Sequence, residues 1–213
     1  MTVSFVSSTA RTTIALAIGA GALFAAATAH AQVVSSGVVN LPIPTSTNGL
    51  YVNVVTGANN LPPPGTAGTT VPGWDINLWS TTGLGFFSPS APLGGAYVVT
   101  APGFAANLAA GAVVGGASTF GSGTSSNLAQ WALNSANNYF GFRFLNEAAG
   151  TTHYGWGQVA IGASITDRTL VQYAFELTPN TAITVVPEPG TYALMGLGLA
   201  GLLAARRRFG KAD

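Results

Sequence analysis

From Gln32 to Phe142 the chain runs for 111 residues with a single charged side chain, Asp75. The whole chain has only 7 basic and 6 acidic residues among 213, whereas about a quarter of the residues in an ordinary soluble domain are charged. This deficit excludes a charge-rich helical bundle and an acidic disordered tail. It also excludes a nucleic-acid-binding protein with a basic patch, because such a patch needs several Lys or Arg side chains facing phosphates.

Residues 1–31 have the layout of a secretory signal peptide. Arg11 precedes an apolar stretch from Ile14 to Ala27, and the small-residue triplet Ala29-His30-Ala31 follows it. This order matches the charged, apolar and cleavage regions of a signal peptide. Cleavage after Ala31 leaves Gln32 as the new N-terminus. A permanent N-terminal anchor is the alternative, but the apolar stretch is shorter than the roughly 20 residues of a spanning helix.

The C-terminal segment, residues 187–213, has three parts: the prolines and glutamate Pro187, Glu188 and Pro189, the apolar stretch Tyr192 to Ala205, and the basic tail Arg206, Arg207, Arg208 and Lys211. A helix can begin near Pro189, because proline is tolerated in a first helical turn. At about 1.5 Å per residue the apolar stretch spans roughly 21 Å, less than the roughly 30 Å hydrocarbon core of a bilayer. The basic residues keep the C-terminus on the cytoplasmic side of this marginal membrane helix.

The motif Val186-Pro187-Glu188-Pro189-Gly190-Thr191, the Gly- and Leu-rich stretch and the arginine cluster together resemble the PEP-CTERM sorting signal. In that family the signal is recognised by exosortase, a membrane-embedded cysteine transpeptidase of Gram-negative bacteria that also make exopolysaccharide. The resemblance implies cleavage near Pro-Glu-Pro and release or transfer of the protein at the cell surface. Signal peptidase and exosortase are then its processing partners, with transient insertion in the inner membrane. A plain C-terminal tail anchor is the alternative, although so short a span would anchor poorly.

Residues 32–186 remain as a secreted domain of 155 residues, a common length for one domain. Apolar residues in it alternate with period two, which indicates strands. The clearest strands are Tyr139–Leu145, whose three phenylalanines share one face, and Thr152–Ile161, in which Tyr154 and Trp156 share a face. The turn-prone loop Asn146–Gly150 joins these two strands into a predicted hairpin.

Further strands are predicted between breaks rich in Gly and Pro, at Leu50–Thr56, Trp74–Ser80, Leu84–Phe87, Ala96–Thr100 and Leu170–Leu177. In the second of these strands, Ile76 and Leu78 are expected on the same face as Trp74. Seven or more short strands predict an all-β fold, a β-sandwich or jelly roll. Residues 101–138 support no assignment beyond a short helical turn or strand at Leu128–Leu133.

The residues of the domain predict no catalytic or metal site and no cofactor. The chain has no Cys, and the domain has one His, His153, inside a predicted strand, which argues against a thiolate site, a zinc site and a hydrolytic triad. Asp167 and Arg168 are expected to pair in a turn. A glycosidase needs two neighbouring carboxylates, and no motif places together any two of the four in the domain, Asp75, Glu147, Asp167 and Glu176. Calcium ligands are present in composition only, at Asp75-Ile76-Asn77 and Asn137-Asn138.

Aromatic side chains offer a route to binding, because sugar rings stack on aromatic faces and an uncharged surface suits a neutral polysaccharide. Most of the aromatic residues are expected in the core. Trp79 is the candidate glycan contact, since it shares a predicted strand face with the polar Asp75 and Asn77.

The sequence therefore predicts a secreted, non-enzymatic β-sandwich protein that exosortase sorts to the cell surface or the exopolysaccharide matrix. Its predicted role there is structural or adhesive, with exopolysaccharide as a candidate partner. A carbohydrate-binding module is the alternative from another class, and a carboxylate-dependent glycosidase is a more distant one.

Overall fold

The computed structural model describes residues 32–61, 70–88, 95–101, 103–121, 125–126 and 128–186. The predicted signal peptide (1–31) and the predicted sorting segment (187–213) lie outside the described residues. Within the described part, the regular elements are β-strands and one turn of 3₁₀ helix. In the described residues, no helix has the length and hydropathy of a membrane span.

The strands in the described residues are β1 (Val33–Ser35), β2 (Leu41–Pro42), β3 (Leu50–Val52), β4 (Ile76–Trp79), β5 (Gly85–Phe87), β6 (Ala96–Ala101), β7 (Phe104–Ala105), β8 (Val113–Val114), β9 (Phe120–Gly121), β10 (Ser125–Ser126), β11 (Ser135–Asn146), β12 (Thr151–Ile161), β13 (Arg168–Glu176) and β14 (Ile183–Thr184). The 3₁₀ turn, Leu128–Gln130, falls where a helical turn or strand is predicted. The all-β prediction is confirmed. Strands β7 to β10 lie in the stretch 101–138, for which the sequence supports no assignment. Each has only two residues, which is too short to show a period in the sequence.

Most strands belong to one sheet in the order β1-β13-β12-β11-β6-β7-β10-β5-β4-β3, with β2 and β9 paired beside this path. The first residues of β6 pair with β11 and its last residues pair with β7, so β6 joins the two halves of the sheet. Phe86 of β5 and Phe140 of β11 have ring centroids 5.3 Å apart, although three strands separate them in the sheet. The sheet therefore folds back on itself and encloses the main hydrophobic core.

The long β11–β12 hairpin contributes a row of three phenylalanines to this core. Phe140, Phe142 and Phe144 are each at most 1% exposed. Phe140 lies opposite Gly157, and Phe142 lies opposite Gly155. A Cβ atom at either glycine would overlap the facing ring. Glycine is required at these two positions because each ring packs directly on the backbone of the neighbouring strand.

The other face of the hairpin carries a second, smaller core. Tyr139, Tyr154 and Trp156 pack there against Val114 of β8 and Ile183 of β14, which form a separate two-stranded sheet. The predicted hairpin and the predicted division of its faces are confirmed. The domain thus has apolar layers on both sides of β11–β12–β13, which explains why the burial of β12 is nearly continuous.

Arg168 departs from the prediction of a turn in which it pairs with Asp167. It begins β13 and is 3% exposed. Its Nη2 donates hydrogen bonds to the backbone carbonyls of Ser80, at 2.6 Å, and Pro44, at 3.1 Å. These partners come from distant loops, so no local pattern could reveal them. The guanidinium joins two loops of the domain to β13.

Replacing Gly157 with Ala should destabilise the domain, because the added methyl group would displace the Phe140 ring. We expect the free energy of unfolding to fall by about 1–3 kcal/mol, the usual cost of overpacking a core. Gly116→Ala is the matched control, since Gly116 is exposed and a Cβ atom there would lie 3.6 Å from the Tyr154 hydroxyl. Urea denaturation of both variants measures the effect. Equal stabilities would contradict this account of the ring packing.

Candidate functional site

The C-terminal end of the domain fixes where the predicted sorting segment leaves the fold. The Val185 N–H donates to the Ala112 carbonyl at 2.8 Å, and the Val185 carbonyl accepts from the Gly111 N–H at 2.7 Å. Val185 is fully buried, whereas Val186 is 48% exposed. The chain is therefore held by the domain up to Val185, and Pro187 of the predicted motif comes two residues later.

The sorting residues themselves lie outside the described residues, as do the predicted signal-cleavage residues. They are Ala29 and Ala31 at the N-terminal side, and Pro187, Glu188, Pro189, the stretch Tyr192 to Ala205, Arg206, Arg207 and Arg208 at the C-terminal side. The structure does fix the two chain ends from which they extend. These are Gln32, next to β1, and Val186, next to β14.

Three aromatic side chains form a partly exposed cluster on the outer face of β3, β4 and β5; we call this the aromatic patch (Tyr51, Trp74 and Phe87). Trp74 stacks on Phe87 with ring centroids 5.8 Å apart, and it meets Tyr51 edge-on at 4.8 Å. Phe87 is 40% exposed, and the other two are half-buried. Tyr51 and Phe87 lie on either side of Asn77, so the patch extends across three strands.

Trp74 is not on the face predicted for it. Ile76 and Leu78 are fully buried in the main core, whereas Trp74 contacts Tyr51 and Phe87 on the opposite face. The alternation fails because Trp74 precedes β4 and follows a turn in which Gly73 has a φ of 60°. The sequence signal for the patch was present in Tyr51 and Phe87, which alternate with core residues in their own strands.

Trp79 remains a predicted glycan contact, but the expectation that its polar strand face is exposed is wrong. The polar residues on its strand face are buried, with Asp75 4% and Asn77 1% exposed. Trp79 is half-buried, and its indole packs over Gly85, its partner across the strand pair. The other three tryptophans divide between core and patch, with Trp131 and Trp156 each 3% exposed.

The fold places the carboxylates of Asp75 and Glu147 close enough for the charge of Glu147 to act on Asp75, although no sequence motif pairs them. Asp75 Oδ2 accepts a 2.7 Å hydrogen bond from the Val54 N–H. Burial raises the pKa of Asp75 to about 7; the Val54 hydrogen bond opposes this rise, and the nearby charge of Glu147 contributes to it. Glu147 is exposed in the β11–β12 loop, where its carboxylate oxygens would lie 3.4 Å from a Cβ atom on Gly73. A cleft of about 490 Å³ opens beside Glu147, and Asn53 is also among its lining residues.

The His153 ring is buried and makes both stacking and hydrogen-bond contacts within the domain. It is 2% exposed and stacks on the Phe144 ring at 5.5 Å. Its Nδ1 lies 2.8 Å from the Glu176 carbonyl oxygen, and its Nε2 lies 2.8 Å from Thr151 Oγ1. Both ring nitrogens are therefore engaged within the fold. Among the residues that the structure describes, no three His, Cys, Asp or Glu side chains are grouped so that they could hold a metal ion.

Together, the antiparallel sheets and the point at which the chain leaves them define an all-β domain whose last strand is followed, after two residues, by the predicted sorting segment. The family model of the PEP-CTERM protein-sorting motif matches residues 185–208. The chain thus carries a PEP-CTERM sorting motif, and the resemblance is confirmed. The motif implies export, processing by exosortase and a cell-surface or extracellular location. Searches of curated proteins and of solved structures found no match.

The burial of Asp75 predicts a pH dependence of stability. Its pKa is raised from 3.8 to about 7 in the folded domain, so the folded state binds this proton more tightly than the unfolded chain. The resulting stabilisation is fully present below the unfolded pKa and is lost as the pH rises through the folded pKa. The free energy of unfolding should therefore fall between about pH 4 and pH 7 by a few kcal/mol, at about 1.4 kcal/mol for each unit.

Asp75→Asn tests this dependence, because it keeps an oxygen for the Val54 N–H and removes the titrating group. Urea denaturation across this pH range should show a flatter profile for the variant than for the native protein. Asp167→Asn, a change of an exposed carboxylate, should retain the native profile. An unchanged profile in Asp75→Asn would contradict the assignment to Asp75.

Proposed function

We propose that the β domain is a non-enzymatic structural or adhesive component of the cell surface or the exopolysaccharide matrix. The observation that carries this proposal is its nearly uncharged surface. Residues 32–186 contain six charged side chains, and three of them are buried: Asp75 (4% exposed), Arg168 (3%) and Glu176 (0%). The charges that reach the surface are those of Arg143, which is half-buried, and of the exposed Glu147 and Asp167.

Low surface charge favours association, because copies of the domain repel one another weakly. Apolar side chains also reach the surface on different parts of the domain, with Val38 70% and Val113 62% exposed. This surface suits a protein that is retained in a hydrated matrix of neutral polysaccharide better than one that diffuses freely.

The same distribution of polar groups supports the absence of catalysis. Asp75 has the raised pKa that a general acid needs, but it is 4% exposed and does not line the cleft beside Glu147. His153 has both ring nitrogens engaged within the fold. Of the two carboxylates, Asp75 and Glu147, only Glu147 is therefore accessible to a substrate in the cleft.

Adding charge to the surface should weaken retention in the matrix. We expect Val38→Lys combined with Val113→Lys to release several times more protein from the cell surface into the medium than the native protein releases. The control is Val38→Thr combined with Val113→Thr, which changes the same exposed positions without adding charge. Fractionation of the producing cells and sedimentation of the isolated protein measure the effect. A native protein that is monomeric and found freely in the medium would contradict the proposal.

A carbohydrate-binding module is the second candidate, and the stacked Trp74 and Phe87 rings of the aromatic patch favour it. Sugar rings stack on exposed aromatic faces. If the domain binds a polysaccharide through the patch, Trp74→Ala should weaken binding by about tenfold or more, as for an interface hot spot. Trp79→Ala should have little effect. Binding of the two variants to immobilised neutral polysaccharides distinguishes Trp74 from Trp79 as the contact. Loss of binding in Trp79→Ala alone would contradict a site at the aromatic patch and place it at Trp79.

A further inference from the structure

The first residue after the predicted signal peptide lies against a buried carboxylate. The Gln32 N–H donates a 2.9 Å hydrogen bond to Glu176 Oε1, and the Thr178 N–H donates to the same oxygen at 2.9 Å. The Leu177 N–H donates to the Gln32 carbonyl at 2.8 Å. The next residue, Val33, lies opposite Glu176 where β1 pairs with β13. The nitrogen of Gln32 is thus fixed by the fold at the end of β13.

The carboxylate of Glu176 is incompletely satisfied. The residue is 0% exposed, and its second oxygen, Oε2, is buried without a hydrogen-bond partner. The hydrogen bonds that it does receive come from two backbone amides. An ionised carboxylate that is buried with an orphan oxygen is unfavourable unless a cation pairs with it. The ring nitrogens of His153 bond to the Glu176 backbone carbonyl and to Thr151 Oγ1, and not to the Glu176 carboxylate.

We propose that signal-peptide cleavage supplies the missing partner, and that the new α-ammonium group of Gln32 forms a buried ion pair with Glu176. This proposal rests on the predicted export of the protein. Hydrolysis of the Ala31–Gln32 bond adds the hydroxyl of a water molecule to the Ala31 carbonyl carbon, which becomes a carboxylate. The nitrogen of Gln32 takes up the remaining hydrogen of the water and the proton that the new Ala31 carboxyl group releases. The single N–H donor of the precursor becomes an ammonium group with three donors, enough to serve both Oε1 and Oε2.

Two independent observations meet at this residue. The small-residue pattern of Ala29 and Ala31 predicts cleavage before Gln32, and the fold places the Gln32 nitrogen 2.9 Å from Glu176 Oε1. Cleavage one residue to either side would move the ammonium group by about 3.3 Å, the rise of one residue in a strand. The position of the cut therefore decides whether the ion pair forms. Cleavage at Ala31 completes the contact between the first strand and β13.

The composition of the chain makes the α-amino group easy to follow. Lys211 is the only lysine, and it lies in the sorting segment. The α-amine of Gln32 is thus the single primary amine of residues 32–186 in the processed protein. An ammonium group held by a carboxylate gives up its proton less often, so it reacts more slowly with an acylating reagent.

The test starts from the full chain, exported by a Gram-negative host and isolated after processing. Its N-terminal peptide is identified by mass, and the rate at which a small activated ester acylates the α-amine is measured at neutral pH. We expect Glu176→Gln to raise this rate about tenfold or more, since an opposite charge at this range shifts a proton equilibrium by about 1–3 pH units. Asp167→Asn, which removes an exposed carboxylate in the β12–β13 turn, should leave the rate unchanged.

A second variant keeps the test decisive if Glu176→Gln does not fold. The second variant has one glycine inserted between Ala31 and Gln32, so Glu176 is unchanged. The nitrogen of Gln32 is then an amide again, and the ammonium group lies on the inserted glycine, away from Glu176. We expect this amine to be acylated as fast as an exposed amine. An N-terminus at Gln32 with equal rates in all forms would overturn the ion pair. An N-terminus elsewhere, or one that has lost ammonia by cyclisation of Gln32, would overturn it as well. Neither result bears on retention at the cell surface, so the two proposals fail separately.

Discussion

The rest of the structure depends on the packing of phenylalanine rings directly on the backbone of a neighbouring strand. Phe140 and Phe142 occupy space over Gly157 and Gly155 that no other residue would leave open. This contact lets two paired long strands present a row of aromatic rings to the core. Phe86 then meets Phe140 from the opposite half of the sheet. A chain with few charges and many glycines can in this way build a dense core from a small number of large side chains, which supply most of the buried apolar area.

Three of the six charged residues of the domain make their contacts inside the fold. Arg168 joins the loops at Pro44 and Ser80 to β13, and Asp75 accepts the N–H of Val54. Glu176 receives the first residue of the domain, Gln32. Each connects segments that are far apart in the chain, and the surface is left to uncharged polar and small residues. The burial of these charged residues thus both lowers the charge of the domain surface and supplies specific polar contacts in its interior.

Sequence reasoning reached the β11–β12 hairpin and its two faces because an unbroken period-two pattern depends only on neighbouring residues. It also reached the sorting motif, which is a linear signal. It could not place Arg168, Asp75 or Glu176 in the interior, since their partners are distant; 144 positions separate Gln32 from Glu176. The aromatic patch was missed because the turn before β4 reverses the face on which Trp74 lies. Sequence patterns thus predicted the strands, and tertiary contacts decided the candidate sites.

The sorting segment of this exported β domain begins two residues after the last residue that the domain holds by backbone hydrogen bonds, Val185. The direct test of this claim is the mass of the C-terminal peptide of the protein isolated from the surface of its native cells. We expect a chain that ends near Pro187 to Pro189 and lacks Arg206, Arg207 and Arg208. A surface protein that retains the residues up to Asp213 would contradict it.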